Sequence, residues 1–285
     1  MTISAVPDYV IVGHIIKDKV ADGYLLGGTV SFAGAVVQAL GASLGIVSAA
    51  DADGRALALQ QFPGAEFSWV KSEETTVYEN IYGPSGRVQY CLALADELTT
   101  ADFPEEWRSA SIVHLGPLTS EVPPDIVACV SNDSLVGVTP QGWLRRRLDN
   151  GLIEPREWDS YQTVLERSDV LIFSENDPGS AEECRRYLGA AKLAVVTRGA
   201  QGADVHTAGS VTHIPPYPAR EVDPTGAGDG FCGAFLIEYH RTGSAIDACR
   251  FASAAASFLI EDIGVNGAVR ECQIRERMAG PTLDH

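Results

Sequence analysis

Short, mostly apolar runs constrain this chain most. Tyr9 to Gly13 reads YVIVG, and Gly45 to Ala49, Ile112 to Leu115, Leu135 to Val138, Val170 to Phe173 and Leu193 to Thr197 are similar runs rich in β-branched residues. Strands with no polar face are buried on both sides, the condition of a parallel sheet. Segments of helical character lie between them: Ser31 to Leu40 with Gly41 as its stop, Glu157 to Arg167, Ser180 to Leu188 and Gly230 to Tyr239. This alternation predicts an α/β fold with an open, mostly parallel sheet and helices on both faces.

Two segments break the rhythm. His14 to Val20 and Tyr24 to Leu26 flank Ala21-Asp22-Gly23, while Glu74 to Tyr82 and Arg87 to Leu94 flank Gly83-Pro84-Ser85-Gly86. Both read as hairpins, so residues 14–26 and 74–94 are expected to form a small separate sheet beside one edge of the main one. At 285 residues the chain reads as a single large domain, 1–285, carrying that excursion. Its 21 Lys and Arg against 38 Asp and Glu give a formal charge of −17, which repels phosphate backbones and anionic lipid and argues against nucleic acid or a membrane surface as partner. No run approaches the ~18 apolar residues of a membrane span. The start, MTISAVPDYVIVGHIIKDKV, has no basic region leading into a long apolar run, and the six cysteines form no C-x-x-C pair, so a cytoplasmic protein with reduced thiols is expected. The six histidines show no metal-ligand spacing, and no G-x-G-x-x-G follows the first strand, which removes a metallohydrolase and a Rossmann dehydrogenase.

Chemistry concentrates in Glu221 to Leu236, EVDPTGAGDGFCGAFL. Gly226, Ala227 and Gly228 leave the backbone bare ahead of a helix, where successive N–H groups make an anion cradle and the helix dipole adds roughly half a positive charge. Asp229 sets a carboxylate beside that cradle, although like charges repel. The role that fits is a general base, accepting the proton of a substrate hydroxyl as its oxygen attacks a γ-phosphoryl group. A capped helix start after a glycine turn would present G-A-G equally well; only the longer string separates the two readings.

That string, Asp223-Pro-Thr-Gly-Ala-Gly-Asp229, closely resembles the signature of the ribokinase-like carbohydrate kinases, the PfkB family. The resemblance implies a ribokinase-like fold with a β-sheet lid, ATP and Mg²⁺ as cofactors, and Asp229 as catalytic base with Gly226, Ala227 and Gly228 as the cradle. Gly13-x-x-x-x-Asp18 resembles the family's first strand and hydroxyl-binding Asp, and Gly27-Gly28 its diglycine hinge between lid and core. Val196-Thr-Arg-Gly-Ala-Gln-Gly202 is similar to the nucleotide segment T-x-G-x-x-G, which carries Thr197, Gly199 and Gly202, joined by Ser174 and Thr225, to the donor.

Departures from the pattern are equally informative. Where the family shows N-x-x-E near the metal, the chain reads Ser174-Glu-Asn-Asp177, leaving Asp177 to act on Mg²⁺ through water. Phe32 stands where an Asn often binds the sugar. Thr139-Pro-Gln-Gly-Trp-Leu-Arg145 resembles the D-x-Q-G-x-x-R stretch of the inositol-kinase-like branch with Thr for its Asp, so Gln141 and Arg145 are expected at the acceptor; a solvated Arg145 to Arg147 loop capping a helix is the plain alternative. The expected function is phosphorylation of a small polyol or sugar, myo-inositol-like by preference, with a homodimer through the lid. A catalytically idle nucleotide- or metabolite-binding regulator is the second reading. Phe32, Thr139 and Ser174 motivate it, and Asp229 argues against it.

Overall fold

The computed structural model describes residues 6–83 and 86–283. Its main sheet takes β1 (Tyr9–Val12), β4 (Leu44–Ala50), β5 (Glu66–Lys71), β8 (Ile112–Leu115), β9 (Leu135–Val138), β12 (Val170–Ser174), β13 (Ala194–Thr197), β14 (Ala203–Thr207) and β15 (Ser210–Ile214). The nine strands run in the order β15-β14-β13-β12-β9-β8-β1-β4-β5, parallel from β13 to β5 and antiparallel at β14 and β15. Central β1 is fully buried, with Tyr9 and Ile11 on one face and Val10 and Val12 on the other. The period-2 pleat thus splits one apolar run between two cores.

The first core lies under α1 (Gly28–Ala39), α5 (Ala227–Thr242) and α6 (Ala245–Leu259), and includes Val30, Val37, Phe235, Leu236 and Phe251. Glycines explain how closely α1 and α5 pack: a Cβ on Gly233 would stand 3.0 Å from the Ala33 carbonyl oxygen. The second core, on the opposite face, gathers Trp143, Trp158, Val164 of α3 (Tyr161–Arg167) and Tyr187 of α4 (Ala181–Ala190), with the two indoles stacked 5.2 Å apart. Side-chain caps set helix starts: Asp51 accepts from Gly54 N at 2.7 Å at the head of α2 (Ala52–Gln61), and Ser180 accepts from Glu183 N at 3.2 Å. α7 (Glu271–Met278) closes the chain.

The separate small sheet is present. β2 (Ile16–Val20), β3 (Gly23–Gly27), β6 (Thr76–Gly83) and β7 (Gly86–Ala93) pair in the order β3-β2-β6-β7; the Pro84-Ser85 turn expected between the last two lies outside the described residues. His14 pins both crossings into this lid: Nδ1 is 2.8 Å from Thr76 Oγ1, and Nε2 is 3.0 Å from the Asp96 carbonyl oxygen.

Three expectations need correction. The helix expected from Ser31 starts at Gly28, at φ +77°, with Gly27 as its N-cap, so the diglycine is the junction between lid strand β3 and α1. Arg145 to Arg147 is neither a loop nor a helix cap but a strand, β10 (Arg145–Arg147), paired with β11 (Ile153–Pro155) and tied to the lid edge by Cys91 N to the Gly151 carbonyl, 2.8 Å. The helix expected from Glu157 starts at Tyr161, because Trp158 is drawn into the aromatic core. Among the described residues no helix is long and apolar enough to cross a membrane.

Candidate active site

The parallel strands all end on one edge of the sheet, where Ser174 and Thr197 are the last residues of β12 and β13. Gly226 is the N-cap of α5 at φ +74°, a left-handed conformation that disfavours a side chain. A Cβ there would overlap Cγ, Cδ1 and Cδ2 of Phe32, whose ring is 2% exposed. Phe32 is therefore a platform beneath the glycine turn, which gives its departure from Asn a structural reason. Helix α5 begins at Ala227, three residues before the expected start, so Gly228 and Asp229 are its second and third residues. Nothing lies within 4 Å of a Cβ built on Gly228, so the cradle opens outward there.

Asp229 is held from α1: Thr29 Oγ1 donates to Asp229 Oδ1 at 2.7 Å. Sequence reasoning missed Thr29, since nothing in a threonine after two glycines signals a partner 200 positions away. Along the same stretch, a Cβ on Gly27 would fall on the Asp18 carboxylate, so Asp18 crosses the lid's β2–β3 pair to stand over the diglycine. Asp18, Gly27, Gly28, Thr29 and Asp229 form one connected group between lid and core. One turn further along α5, burial first and the Asp229 charge second push the Cys232 thiol well up.

Thr139 is not part of this group. Its Oγ1 is 2.9 Å from His114 Nε2, and Tyr9 Oη is 3.1 Å from His114 Nδ1, in a wholly buried chain across the sheet. Burial pushes His114 down to about 3, so the imidazole stays neutral. A Thr in place of Asp thus satisfies a core histidine without burying a charge. Arg145 Nη1 donates to Gln89 Oε1 at 3.0 Å, and Gln89 Nε2 donates to Asn80 Oδ1 at 3.0 Å, giving a polar cluster on lid strands β6 and β7 that the sequence did not mark. Gln141 sits half-buried in the turn after β9.

On the other flank Ser174 and Thr197 are register partners at the ends of β12 and β13, and Glu175 N donates to the Thr197 carbonyl at 3.0 Å. Gly199 at φ +54° and Gly202 at φ +86° carry the turn that follows, and a Cβ on Gly199 would meet nothing within 4 Å. The bare backbone at Gly199 fits a phosphate-bearing donor, whereas Gly202 is packed against the Ile214 carbonyl and Pro216. For a divalent ion the fit is looser. Among the described residues no cluster of three His, Cys, Asp or Glu side chains is poised to hold a metal, and Asp177 Oδ2 accepts from Ser174 N at 2.8 Å. Mg²⁺ commonly relies on one or two carboxylates together with substrate phosphates and water, so Asp177 at most completes a set that the donor would supply.

An open α/β sheet with a small separate β-sheet is the architecture of the ribokinase-like fold. A pyrophosphate-dependent kinase in the ribokinase family, solved with a pyrophosphate analog and myo-inositol, shares this fold at a TM-score of 0.79 and 23% identity, over 94% of this chain and 99% of its own. Residues 148–272 match the pfkB family carbohydrate kinases. It is 28% identical over 262 residues to the cytidine kinase of Thermococcus kodakarensis, covering 85% of this chain and 91% of that one. It is 26% identical over 253 residues to an inositol 3-kinase of Arabidopsis thaliana, covering 84% and 68%. A further relative is 45% identical over only 58 residues, 16% of its own length.

Proposed function

We propose that this protein transfers the γ-phosphoryl group of ATP to a hydroxyl of a small uncharged polyol, with a cyclic polyol such as myo-inositol preferred. The reading rests on one observation: Asp229 stands in the first turn of α5, behind the bare Gly226 to Gly228 turn, with Thr29 fixing its Oδ1. A carboxylate there takes the proton as the acceptor oxygen forms its bond to phosphorus, while the bridging P–O bond breaks and its electron pair leaves on ADP. The N–H groups at the start of α5 face the charge that builds on the transferred group. Asp18, Gln141 and Arg145 orient acceptor hydroxyls, and Gly27 and Gly28 let the backbone approach. Ser174, Thr197, Gly199, Gly202 and Thr225 line the donor side, with Asp177 reaching Mg²⁺ through water.

Preference for an uncharged acceptor follows from where the cations go. Arg146 pairs with Glu154 at 2.8 Å and Arg147 Nε donates to the Cys91 carbonyl at 2.9 Å, so two of the three cations of the basic run hold a strand to the lid, while Arg145, bonded to the neutral Gln89 amide, serves the acceptor hydroxyls. The outer lid keeps Tyr24, Ile81, Val88 and Leu92 exposed, which favours a homodimer through the lid. All six cysteines are free, in keeping with a reducing cytoplasm. Purified protein with Mg·ATP and myo-inositol, fructose 6-phosphate, ribose, cytidine or adenosine, followed by ADP release, tests the reading. The highest kcat/KM is expected for myo-inositol. Preference for the sugar phosphate or a nucleoside overturns the acceptor, and no ADP with any compound overturns the kinase.

A further inference from the structure

Thr29 is the second residue of α1, 1% exposed, and both substituents on its Cβ have assigned places. Its hydroxyl donates to Asp229 Oδ1 at 2.7 Å. Its methyl fills a notch left by Gly116, the residue after β8: a Cβ on Gly116 would come within 2.5 Å of Thr29 Cγ2 and 3.4 Å of Thr139 Oγ1. A β-branched side chain is stiff at χ1, so the seated methyl adds a modest preference for the rotamer that the hydrogen bond to Asp229 itself selects. The backbone before it is closely determined. β3 of the lid runs without a break through Gly27 into α1, Gly28 is held at φ +77°, and Ile16 of β2 closes over Gly28, where a Cβ would lie 2.7 Å from its Cδ1. One threonine therefore links the root of the lid to the carboxylate at the start of α5.

We infer that Thr29 is a positioning residue for the base: it holds Asp229 Oδ1 through its hydroxyl, so that the carboxylate meets the acceptor hydroxyl in one orientation. The inference rests on the reading of Asp229 as general base. It acts through Asp229 and touches neither phosphate nor acceptor. Hydrogen bonds to charged groups are the stronger kind, and a catalytic group displaced by ~1 Å loses about a hundredfold in rate. The loss should fall on kcat, because orientation of the base matters at the transition state rather than in binding.

The test compares wild type, Thr29→Val, Thr29→Ser, Asp229→Asn and the Thr29→Val/Asp229→Asn double variant, using Mg·ATP and the best acceptor of the panel, with circular dichroism as the folding control. Thr29→Val keeps the shape but not the donor. It should lower kcat about ten- to hundredfold with KM for the acceptor and Kd for ATP within about threefold of wild type. Thr29→Ser should restore kcat to within about threefold, and in the Asp229→Asn background Thr29→Val should cost nothing further, as coupled groups require. A folded Thr29→Val with wild-type kcat refutes the inference, as does an equal loss in both backgrounds, which would mark a structural role. Should Thr29→Val fail to fold, Thr29→Ser decides: a loss in kcat beyond about tenfold refutes it. Turnover in Asp229→Asn near that of wild type would instead remove the reading of the base itself, with the Thr29 result standing apart.

Discussion

Replacing Gly226 by alanine brings two penalties that experiment can separate. The first is conformational: at φ +74° an L-residue pays about 1–2 kcal/mol that glycine does not. The second is steric, because the new methyl would overlap three carbons of the Phe32 ring, and Phe32, 2% exposed on α1 beneath the turn, has little room to retreat. Overpacking of this kind costs about 1–3 kcal/mol, so Gly226→Ala should destabilise by roughly 2–5 kcal/mol in all. Phe32→Ala costs about 3–5 kcal/mol of its own but empties the space that the methyl needs. In that background Gly226→Ala should cost only the conformational part, leaving a favourable coupling of about 1–3 kcal/mol. Urea unfolding of the four proteins reads these differences from the midpoints at constant m. An equal cost of Gly226→Ala in both backgrounds would refute the account of Phe32 as the platform beneath the turn.

Gly228→Val meets open space, so its melting temperature should stay within a few degrees of wild type, while titration calorimetry with Mg·ATP should show affinity falling at least about tenfold as the branched side chain fills the mouth of the cradle; unchanged affinity would place the donor elsewhere. His114, held down to about 3 by burial against an unfolded value of 6.5, leaves the unfolded state binding the extra proton between those values. Its contribution to stability is therefore intact above pH 6.5 and is lost as pH falls, by up to about 1.4 kcal/mol per unit. Urea midpoints at pH 6.5 and 5 should drop less in His114→Gln than in wild type, and parallel drops would contradict the buried neutral imidazole.

How much the sequence reveals depends on whether a residue's reason is local. β1, β8 and β9 can be read to within a residue because each short, mostly apolar run is bounded by polar or glycine residues: Asp8 and Gly13, Ser111 and Gly116, Ser134 and Thr139. The starts of α1 and α5 are read late for the opposite reason. Gly28, Gly226 and Gly228 look like turn residues, and neither a positive φ nor a first helical turn built from glycine leaves a mark in composition. Asp229 and its turn stand out because one short string carries them whole. Phe32 and Thr139 look like defects when compared with a pattern. Their partners, the Gly226 turn and His114, lie far away in sequence, and only the fold shows that both positions are satisfied. Arg145 to Arg147 looks like a solvated charge run until its pairing with β11 and the lid edge is seen. Thr29 is the extreme case, since its meaning depends on Asp229 and Gly116 together.

The central claim is that Asp229 takes the acceptor's proton during phosphoryl transfer. Transfer of label from γ-labelled ATP to myo-inositol, measured in single turnover for wild type and Asp229→Asn at saturating Mg·ATP, addresses it most directly. The amide preserves shape but cannot accept a proton, so the transfer rate should fall at least about a hundredfold, the usual scale of general-base loss, while the Kd for ATP stays within about threefold. Transfer by Asp229→Asn at near the wild-type rate would contradict the account.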